Sequence, residues 1–235
     1  MSKQFLGVIV AVILIFVGIF IFSNGKNPQT SSGKSNTGTL TQHIEGKGST
    51  GVTLVEYGDY ECPFCGQYFP TVKQVQADFN DQIKFQFRNF PLVSIHQNAF
   101  AAARAAEAAA LQNKFWEMHD LLYEAQSQWA GAGDPTPFFN QYAQQLGLNL
   151  AQFKTDYASS KVNDLINADT AEGTKLNVQG TPSFFLDGKQ INVGNNVSAF
   201  EKLINAEIVK KTTGSNAPTP TSAGTTSQTA APAKQ

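Results

Sequence analysis

The stretch VTLVEYGDYECPFCGQYFP, residues 52–70, joins a strand pattern to a helix pattern at a pair of cysteines. Its first part, VTLVEY over 52–57, is a short β-branched run that predicts a buried strand. Its second part, from 63 to 80, predicts a helix, since a proline is tolerated in the first helical turn. Cys62 and Cys65, the two cysteines of the chain, therefore fall where the strand ends and the helix begins.

This position favours thiol chemistry at Cys62. The start of a helix offers unpaired backbone N–H groups and the positive end of the helix dipole, which stabilise a thiolate. Cys65, one turn later and facing inward, is then the resolving thiol that attacks a mixed disulfide. Pro63 and Phe64, between the two, restrict the turn and are expected to contact the substrate, although Phe64 offers no charge or hydrogen bond.

Two other interpretations of the cysteine pair are weaker. A structural disulfide across four residues would stabilise the fold by only about 2 kcal/mol, because so short a loop loses little entropy. A zinc site would need two further ligands, and the three histidines, His43, His96 and His119, have no zinc-finger spacing.

Composition limits the partners. The chain has 235 residues, 41% of them hydrophobic and 11% aromatic, which is enough for a core that needs no disulfide. Lys and Arg number 17 against 18 Asp and Glu, so no basic surplus is present to neutralise phosphates. Nucleic acid is therefore not expected as a partner, and the sequence indicates no cofactor or metal.

The N-terminus predicts a membrane segment. Residues 5–22, FLGVIVAVILIFVGIFIF, form 18 consecutive positions without a polar side chain, just enough to cross a hydrocarbon core. A cleaved signal peptide is the alternative, but the run is longer than its usual apolar region. Lys3 on one side is balanced by Lys26 and Lys34 on the other, so the charges do not decide the orientation.

Two polar segments flank the predicted domain. Residues 23–42 are rich in Ser, Thr, Asn and Gly and predict a flexible tether, because they cannot bury enough apolar surface to become ordered. Residues 212–235 are of low complexity and contain no aromatic residue, which predicts a disordered tail. The folded domain is expected over 43–211.

Periodicities within the domain alternate between strand and helix. After the first strand and helix comes a second alternating strand, then an Ala-rich region of helices, then a hairpin and a final helix. The predicted elements are a strand over 83–90, helices over 94–112, from 115, from 136 and over 149–172, a hairpin over 183–192 and a helix over 198–211. The helical block, about 94–172, is therefore an insertion in a small α/β unit.

These motifs resemble a known family. The segments VTLVEYGDYECPFCGQYFP, FRNFPL, NKFWEMHDLLYE and VQGTPSFFLDGK, with a histidine before the Ala-rich helix, are similar in order and spacing to the DsbA-like branch of the thioredoxin superfamily. The resemblance covers about residues 43–211. It implies a thioredoxin fold with an inserted helical domain and thiol-disulfide exchange on extended protein segments outside the cytoplasm.

The resemblance assigns roles to individual residues. Cys62 matches the nucleophile and Cys65 the resolving cysteine. Thr181 and Pro182 match the loop whose proline is cis and lies against the sulfurs, where the backbone of Gly180 and Thr181 can pair with a substrate strand. An ordinary trans turn is the alternative for this loop.

Other assignments concern acid–base chemistry. Glu56 matches the family's buried acid, which would accept the proton of Cys65 if burial raises its pKa; a partly exposed carboxylate is the alternative. The best-studied oxidants of the family carry His where Phe64 stands, which puts the oxidising strength in question. His96 and His119 are expected to be cap or packing residues rather than catalytic ones.

The predicted function is a membrane-tethered protein thiol-disulfide oxidoreductase with its domain on the extracytoplasmic side. It is expected to pass its Cys62–Cys65 disulfide to cysteine-containing secreted or membrane proteins and to be regenerated by a redox partner, because an oxidant is useful where disulfides persist. The alternatives are a reductase or isomerase of the same fold, and a non-catalytic peptide-binding module.

Overall fold

The computed structural model describes residues 39–214, which contain a mixed five-stranded sheet. The strand order is β1-β3-β2-β4-β5, with β2 and β3 parallel and the other neighbouring pairs antiparallel. The strands are β1 (His43–Glu45), β2 (Val52–Gly58), β3 (Ile83–Asn89), β4 (Ser183–Leu186) and β5 (Lys189–Ile191). The predicted α/β class with a thioredoxin-like sheet is therefore present.

The helices divide into three groups along the chain. One connects the parallel strands β2 and β3, a block separates β3 from β4, and the last follows β5. They are α1 (Pro63–Asp78), α2 (Ala99–Ala110), α3 (Phe115–Glu124), α4 (Gln126–Trp129), α5 (Thr136–Gln145), α6 (Leu150–Tyr157), α7 (Ser160–Lys175) and α8 (Val197–Gly214). The block α2–α7 occupies the region expected to be a helical insertion.

Strand β2 is the centre of the sheet and carries the site at its end. Its alternate residues Leu54, Glu56 and Gly58 are buried on one face, because successive side chains point to opposite sides of a strand. The chain turns after Gly58, and Cys62 becomes the N-cap of α1, with Pro63 at the first helical positions. The predicted junction of strand and helix is thus correct.

The helix predicted from 94 begins later, at Ala99. Residues before it contact other parts of the molecule: the Asn98 amide donates to Glu61 Oε2 at 2.6 Å, and the Asn98 side chain donates to Ala132 O at 2.8 Å. The predicted helix start at 94 is therefore wrong, because these long-range hydrogen bonds hold the segment in a non-helical path.

The single helix predicted over 149–172 is two helices, α6 and α7. The Asn149 side chain accepts the Gln152 amide at 3.0 Å, and the Ser159 hydroxyl accepts the Val162 amide at 3.3 Å. Each helix therefore has its own N-cap, which satisfies backbone donors that a continuous helix would have used internally.

The hairpin was predicted correctly and the start of the last helix nearly so. Asp187 and Gly188 have φ of 47° and 77°, the left-handed pair that a two-residue turn requires. Helix α8 begins at Val197, where the Asn196 side chain, not Ser198, accepts the Ala199 amide at 2.9 Å.

The ends of the domain differ from the expected boundaries. Thr41, assigned to the tether, is buried, and its amide and hydroxyl donate to Asp169 at 3.1 and 2.6 Å. The short strand β1 was not predicted. At the other end α8 continues to Gly214, past the expected limit of 211.

The predicted membrane segment 5–22, the tether as far as 38 and the tail from 215 lie outside the described residues. Among the helices of residues 39–214, none combines the length and the apolar character needed to cross a membrane.

Candidate active site

The turn between β2 and α1 is organised by the buried carboxylate of Asp59. Its Oδ1 accepts the Glu61 amide at 2.8 Å, and its Oδ2 accepts the Leu92 amide at 2.8 Å and contacts His96 Nδ1 at 2.7 Å. Its backbone carbonyl accepts the Cys62 amide at 3.1 Å. His96, expected as a cap or packing residue, therefore pairs with the acid that shapes the active-site turn.

The groups around Cys62 stabilise its thiolate form. Both cysteines are free thiols in this structure. The pKa of Cys62 falls to about 5, chiefly because the Cys65 thiol donates a hydrogen bond to it, while burial opposes the shift. Further contributions come from the Thr181 side chain and from the backbone N–H groups of Cys65 and Phe64 at the helix start.

Cys65 has the opposite environment. It is buried, and its pKa is well above that of an ordinary thiol, first because of burial and then because of the hydrogen bond to Cys62 and the charge of Glu56. A free Cys65 thiolate is therefore unfavourable, and the thiol needs a partner that takes or gives its proton.

Glu56 can serve as that partner. It is buried in the sheet with 4% of its surface exposed, opposite Phe87 on β3 and Phe184 on β4. Loss of solvation, followed by the negative charge at Cys62, raises its pKa to about 8. A carboxyl with such a pKa exchanges protons near neutral pH, so the partly exposed alternative does not hold.

The loop before β4 covers Cys62. The Thr181–Pro182 peptide bond is cis, and the Thr181 carbonyl accepts the Cys62 thiol at 3.3 Å. The Thr181 hydroxyl is buried and has no other partner among the described residues, so it is free to donate once the sulfur is a thiolate. Gly180 is only partly buried, with open space where a Cβ would stand.

The helical insertion also reaches the turn, through Gln126 of α4. Its Nε2 donates to the carbonyls of Tyr60 and Cys62 at 2.7 and 2.9 Å. A Cβ at Gly66 would lie 2.5 Å from Gln126 Oε1, so the glycine after the second cysteine makes room for this side chain. Gln126 was not predicted as part of the site, although the glycine was a signal of close approach.

The rim of the site is apolar and exposed. Pro63 is exposed, and Phe64 has 63% of its surface exposed. Val93 and Ile95, 61% and 72% exposed, lie on the loop that Asp59 ties to the turn. Such a rim suits contact with the apolar side chains of an unfolded polypeptide.

His119 lies deeper, in contact with aromatic rings instead of the sulfurs. Its ring packs 4.8 Å from that of Phe87 and 5.1 Å from that of Tyr123, measured between centroids. Within residues 39–214, His, Cys, Asp and Glu side chains form no group of three or more that could hold a metal ion.

Comparison with known proteins identifies the family. A family model described as thioredoxin matches residues 38–206, which include the whole site. The chain belongs to the thioredoxin family. Within this family, the predicted DsbA-like relationship and the enzyme class, protein thiol-disulfide oxidoreductase, are confirmed.

Two solved structures illustrate the relationship. BdbD from Bacillus subtilis, in its oxidised form, is 25% identical, with a TM-score of 0.64 over 73% of this chain and 97% of that one. A thioredoxin-like oxidoreductase from Silicibacter pomeroyi is 26% identical, with a TM-score of 0.58 over 70% and 90% of the two chains.

One curated relative is named as an ion antiporter and not as a thioredoxin-like protein. The Na(+)/H(+) antiporter NhaA 1 of Salinispora arenicola is 38% identical over 162 residues, which cover 69% of this chain but 24% of the antiporter. The thioredoxin-family chain thus spans about a quarter of the length of that relative, and the antiporter name describes the whole of the longer protein.

Proposed function

We propose that this thioredoxin-family protein is a disulfide donor that passes the Cys62–Cys65 disulfide to cysteine-containing proteins outside the cytoplasm. The observation that carries the proposal is the stabilised Cys62 thiolate, with its pKa of about 5. A stabilised thiolate favours the reduced form of the protein over its disulfide, and a disulfide that is easily reduced is a good oxidant.

The size of this effect supports the donor direction. At pH 7, a thiol pKa of about 5 in place of 9 stabilises the reduced form by at most about 3 kcal/mol, and by less after screening by solvent at the surface. Since about 30 mV corresponds to 1.4 kcal/mol for two electrons, the contribution is at most about 60 mV in the oxidising direction.

The donor reaction follows the geometry. A client thiolate attacks the Cys62 sulfur, and Cys65 leaves with the electron pair and takes a proton from Glu56. A second client thiolate then attacks the client sulfur of the mixed disulfide, and Cys62 leaves as its stable thiolate. Two electrons pass from the client to the protein, and a redox partner outside this chain must later remove them.

A client chain is expected to lie beside the cis-proline loop. Gly180 and Thr181 offer backbone groups to an extended segment, and Pro63 and Phe64 offer apolar contacts next to Cys62. The specificity would then be for unfolded segments around a cysteine, not for one folded surface.

The reduction potential of the full chain tests the direction of exchange. Equilibration with glutathione buffers, followed by thiol trapping, should give a value closer to that of DsbA, about −120 mV, than to that of thioredoxin, about −270 mV. A value at the thioredoxin end would favour the reductase alternative, for which the uncharged Phe64 between the cysteines is the supporting feature. An inert pair would favour the peptide-binding module.

We also propose that residues 5–22 anchor the domain at the extracytoplasmic face of a membrane. The uncharged run and the need of a disulfide donor for an oxidising compartment support this location. Protease added to cells stripped of their wall should release the domain, whereas a domain on the cytoplasmic side would be protected until the cells are lysed.

A further inference from the structure

Among residues 39–214, three buried polar atoms without hydrogen-bond partners belong to side chains that pack together beneath the active site. They are the hydroxyl oxygens of Tyr60 and Tyr123 and the Nε2 nitrogen of His119. The ring centroids are 5.0 Å apart for the two tyrosines, and 5.6 and 5.1 Å apart for His119 with Tyr60 and Tyr123. Buried polar atoms are nearly always paired, so three unpaired ones in one cluster indicate a polar function or an internal water site.

The cluster reaches the face of β2 that carries Glu56. A Cβ at Gly58 would stand 3.0 Å from the Tyr123 hydroxyl and 2.4 Å from the Phe87 ring, so the glycine lets that hydroxyl lie over the strand end. Glu56 is two residues earlier on the same face, about 7 Å along the strand. A hydrogen-bonded link from the carboxyl group to the hydroxyl over this distance needs at least one bridging water.

The other end of the cluster reaches the surface. His119 Nδ1 is 3.0 Å from Asp120 Oδ1, and Asp120 Oδ2 is 2.9 Å from Lys73 Nζ. The side chains of Asp120 and Lys73 are 27% and 36% exposed. With Nδ1–H donating to Asp120, the buried Nε2 is an acceptor, and the His119 ring packs against both tyrosine rings.

We propose that Tyr123, Tyr60 and His119 are positioning residues for a proton path that joins Glu56 to the exposed Asp120–Lys73 pair through hydroxyl groups and a buried water. The path rests on the proposed thiol-disulfide exchange, which requires that protons reach and leave Glu56 beneath the sulfurs. When Cys65 leaves the disulfide, Glu56 gives it a proton and becomes a buried carboxylate. When the disulfide forms, Glu56 takes the Cys65 proton and the path carries it out, because Nε2 of His119 accepts a proton while Nδ1 passes its own to Asp120. The Nε2–H tautomer left behind returns a proton to Glu56 when Cys65 next leaves the disulfide, and Asp120 restores the proton on Nδ1.

The pKa shifts of His119, Tyr60 and Tyr123 favour side chains that stay uncharged at neutral pH and pass a proton on. Burial lowers the pKa of His119, against the opposing hydrogen bond of Asp120, so that its Nε2 is unprotonated at neutral pH and able to accept. Burial raises the pKa of both tyrosines well above the ordinary value, so that each keeps its hydroxyl proton. The titratable and charged groups that face the cluster are Glu56, Cys65, Asp59, Glu107, Asp169, Asp120, Lys73 and His43.

The test uses tyrosine to phenylalanine variants of the full chain, which remove a hydroxyl and keep the ring. Tyr123→Phe and Tyr60→Phe are compared with Tyr142→Phe, a matched control whose buried hydroxyl also has no partner among the described residues but lies on α5, where its ring contacts that of Phe139. The oxidised protein is mixed with reduced glutathione in a stopped-flow instrument, in H₂O and in D₂O, and opening of the disulfide is followed over pH.

Tyr123→Phe is expected to slow opening roughly tenfold and to increase the solvent isotope effect, with the smaller change in Tyr60→Phe, since a slower proton transfer becomes rate-limiting. The Cys62 pKa should stay at about 5 in each variant. Rates equal to those of Tyr142→Phe would overturn the proposal, as would slowing without a larger isotope effect, which marks a structural role.

Failure of the proton path and failure of the donor function are distinguishable. The donor function is judged by the reduction potential, which the hydroxyl groups do not set. The path is judged by rates in both directions, because the Cys65 proton must cross the same interior whether the protein oxidises or reduces its client.

Discussion

Cys62 and Cys65 are one helical turn apart, yet the two sides of the active site treat them in opposite ways. On the outer side, the hydrogen bond from the Cys65 thiol, then the Thr181 side chain and the helix start, lower the pKa of Cys62 to about 5. On the inner side, burial and the charge of Glu56 hold the pKa of Cys65 far above its usual range. The difference implies different roles for the two sulfurs: in the proposed donor reaction, Cys62 exchanges with clients and Cys65 needs a proton.

The strongest test of this division removes one sulfur at a time. Cys62→Ala should reduce disulfide exchange to the background rate, because the sulfur that meets the client is gone. Cys65→Ala should leave Cys62 joined to client cysteines, because the intramolecular route that resolves the mixed disulfide is lost. A non-reducing gel of the two variants measures the amount of mixed disulfide with client proteins. Equal amounts of thiol-sensitive adduct in both would contradict the separate roles of Cys62 and Cys65.

The inner side can be tested through the pH dependence of stability of the reduced protein. The pKa of Glu56 is about 8 in the folded chain and near 4.5 when unfolded, so the folded chain holds an extra proton between these values. Stability from this group is therefore present below pH 4.5 and is lost as the pH rises to 8. Glu56→Gln should abolish this loss, which amounts to at most about 4 kcal/mol at pH 8.

Urea unfolding of the wild type and Glu56→Gln at pH 4 and pH 8 gives the measurement. The quantity to compare is the change between the two pH values, since a buried amide adds a constant cost at both. Cys62 contributes with the opposite sign, gaining stability as the pH rises from 5 to 9, and it is common to both proteins. Parallel pH profiles would mean that Glu56 is already ionised at neutral pH.

The outer side predicts selective alkylation. At pH 6 most Cys62 should be thiolate, and it should react roughly tenfold faster than a model thiol, since its lower nucleophilicity offsets part of the gain in thiolate. Cys65 should remain unlabelled. Mass spectrometry after iodoacetamide treatment over pH 4–8 should give a midpoint near 5 for Cys62, and equal labelling of both sulfurs would contradict the nucleophile assignment.

The smallest expected effect comes from the exposed residue between the sulfurs. Phe64→His places a group that can carry positive charge or donate a hydrogen bond beside the Cys62 thiolate, and it should make the protein more oxidising by about 30 mV. Phe64→Leu is the control, because it changes size without adding charge. A histidine variant with the potential of the leucine variant would show that residue 64 does not reach the sulfur electrostatically.

Local pattern was sufficient for much of the fold and for the reacting groups. The strand-to-helix junction at Cys62, the alternation of β3 and the Asp187–Gly188 turn depend on neighbouring residues, so they could be read directly. The cis peptide before Pro182 and the buried position of Glu56 were predicted from the family resemblance, because neither has a local signal in the sequence. The helix expected from 94 failed because contacts to residues more than 30 positions away hold that segment.

The supporting residues of the site could not be found in the same way. Asp59 meets His96 across 37 positions, and Gln126 meets Cys62 across 64. Such pairs carry no spacing that distinguishes them from other polar residues, because their proximity arises from the packing of the helical insertion against the sheet. The glycines at 58 and 66 were the sequence signals of this packing, because each leaves room for a side chain from a distant segment.

The order of residues along the chain thus specifies where the thiols lie, which of them begins the helix and which elements surround them. The pKa values that make them useful are decided by the tertiary structure, since they depend on burial and on groups brought from distant segments. Glu56 has the same neighbours in sequence whether it is exposed or buried. In the folded protein its strand lies between β3 and β4 and its side chain is buried, and this loss of solvation raises its pKa to about 8.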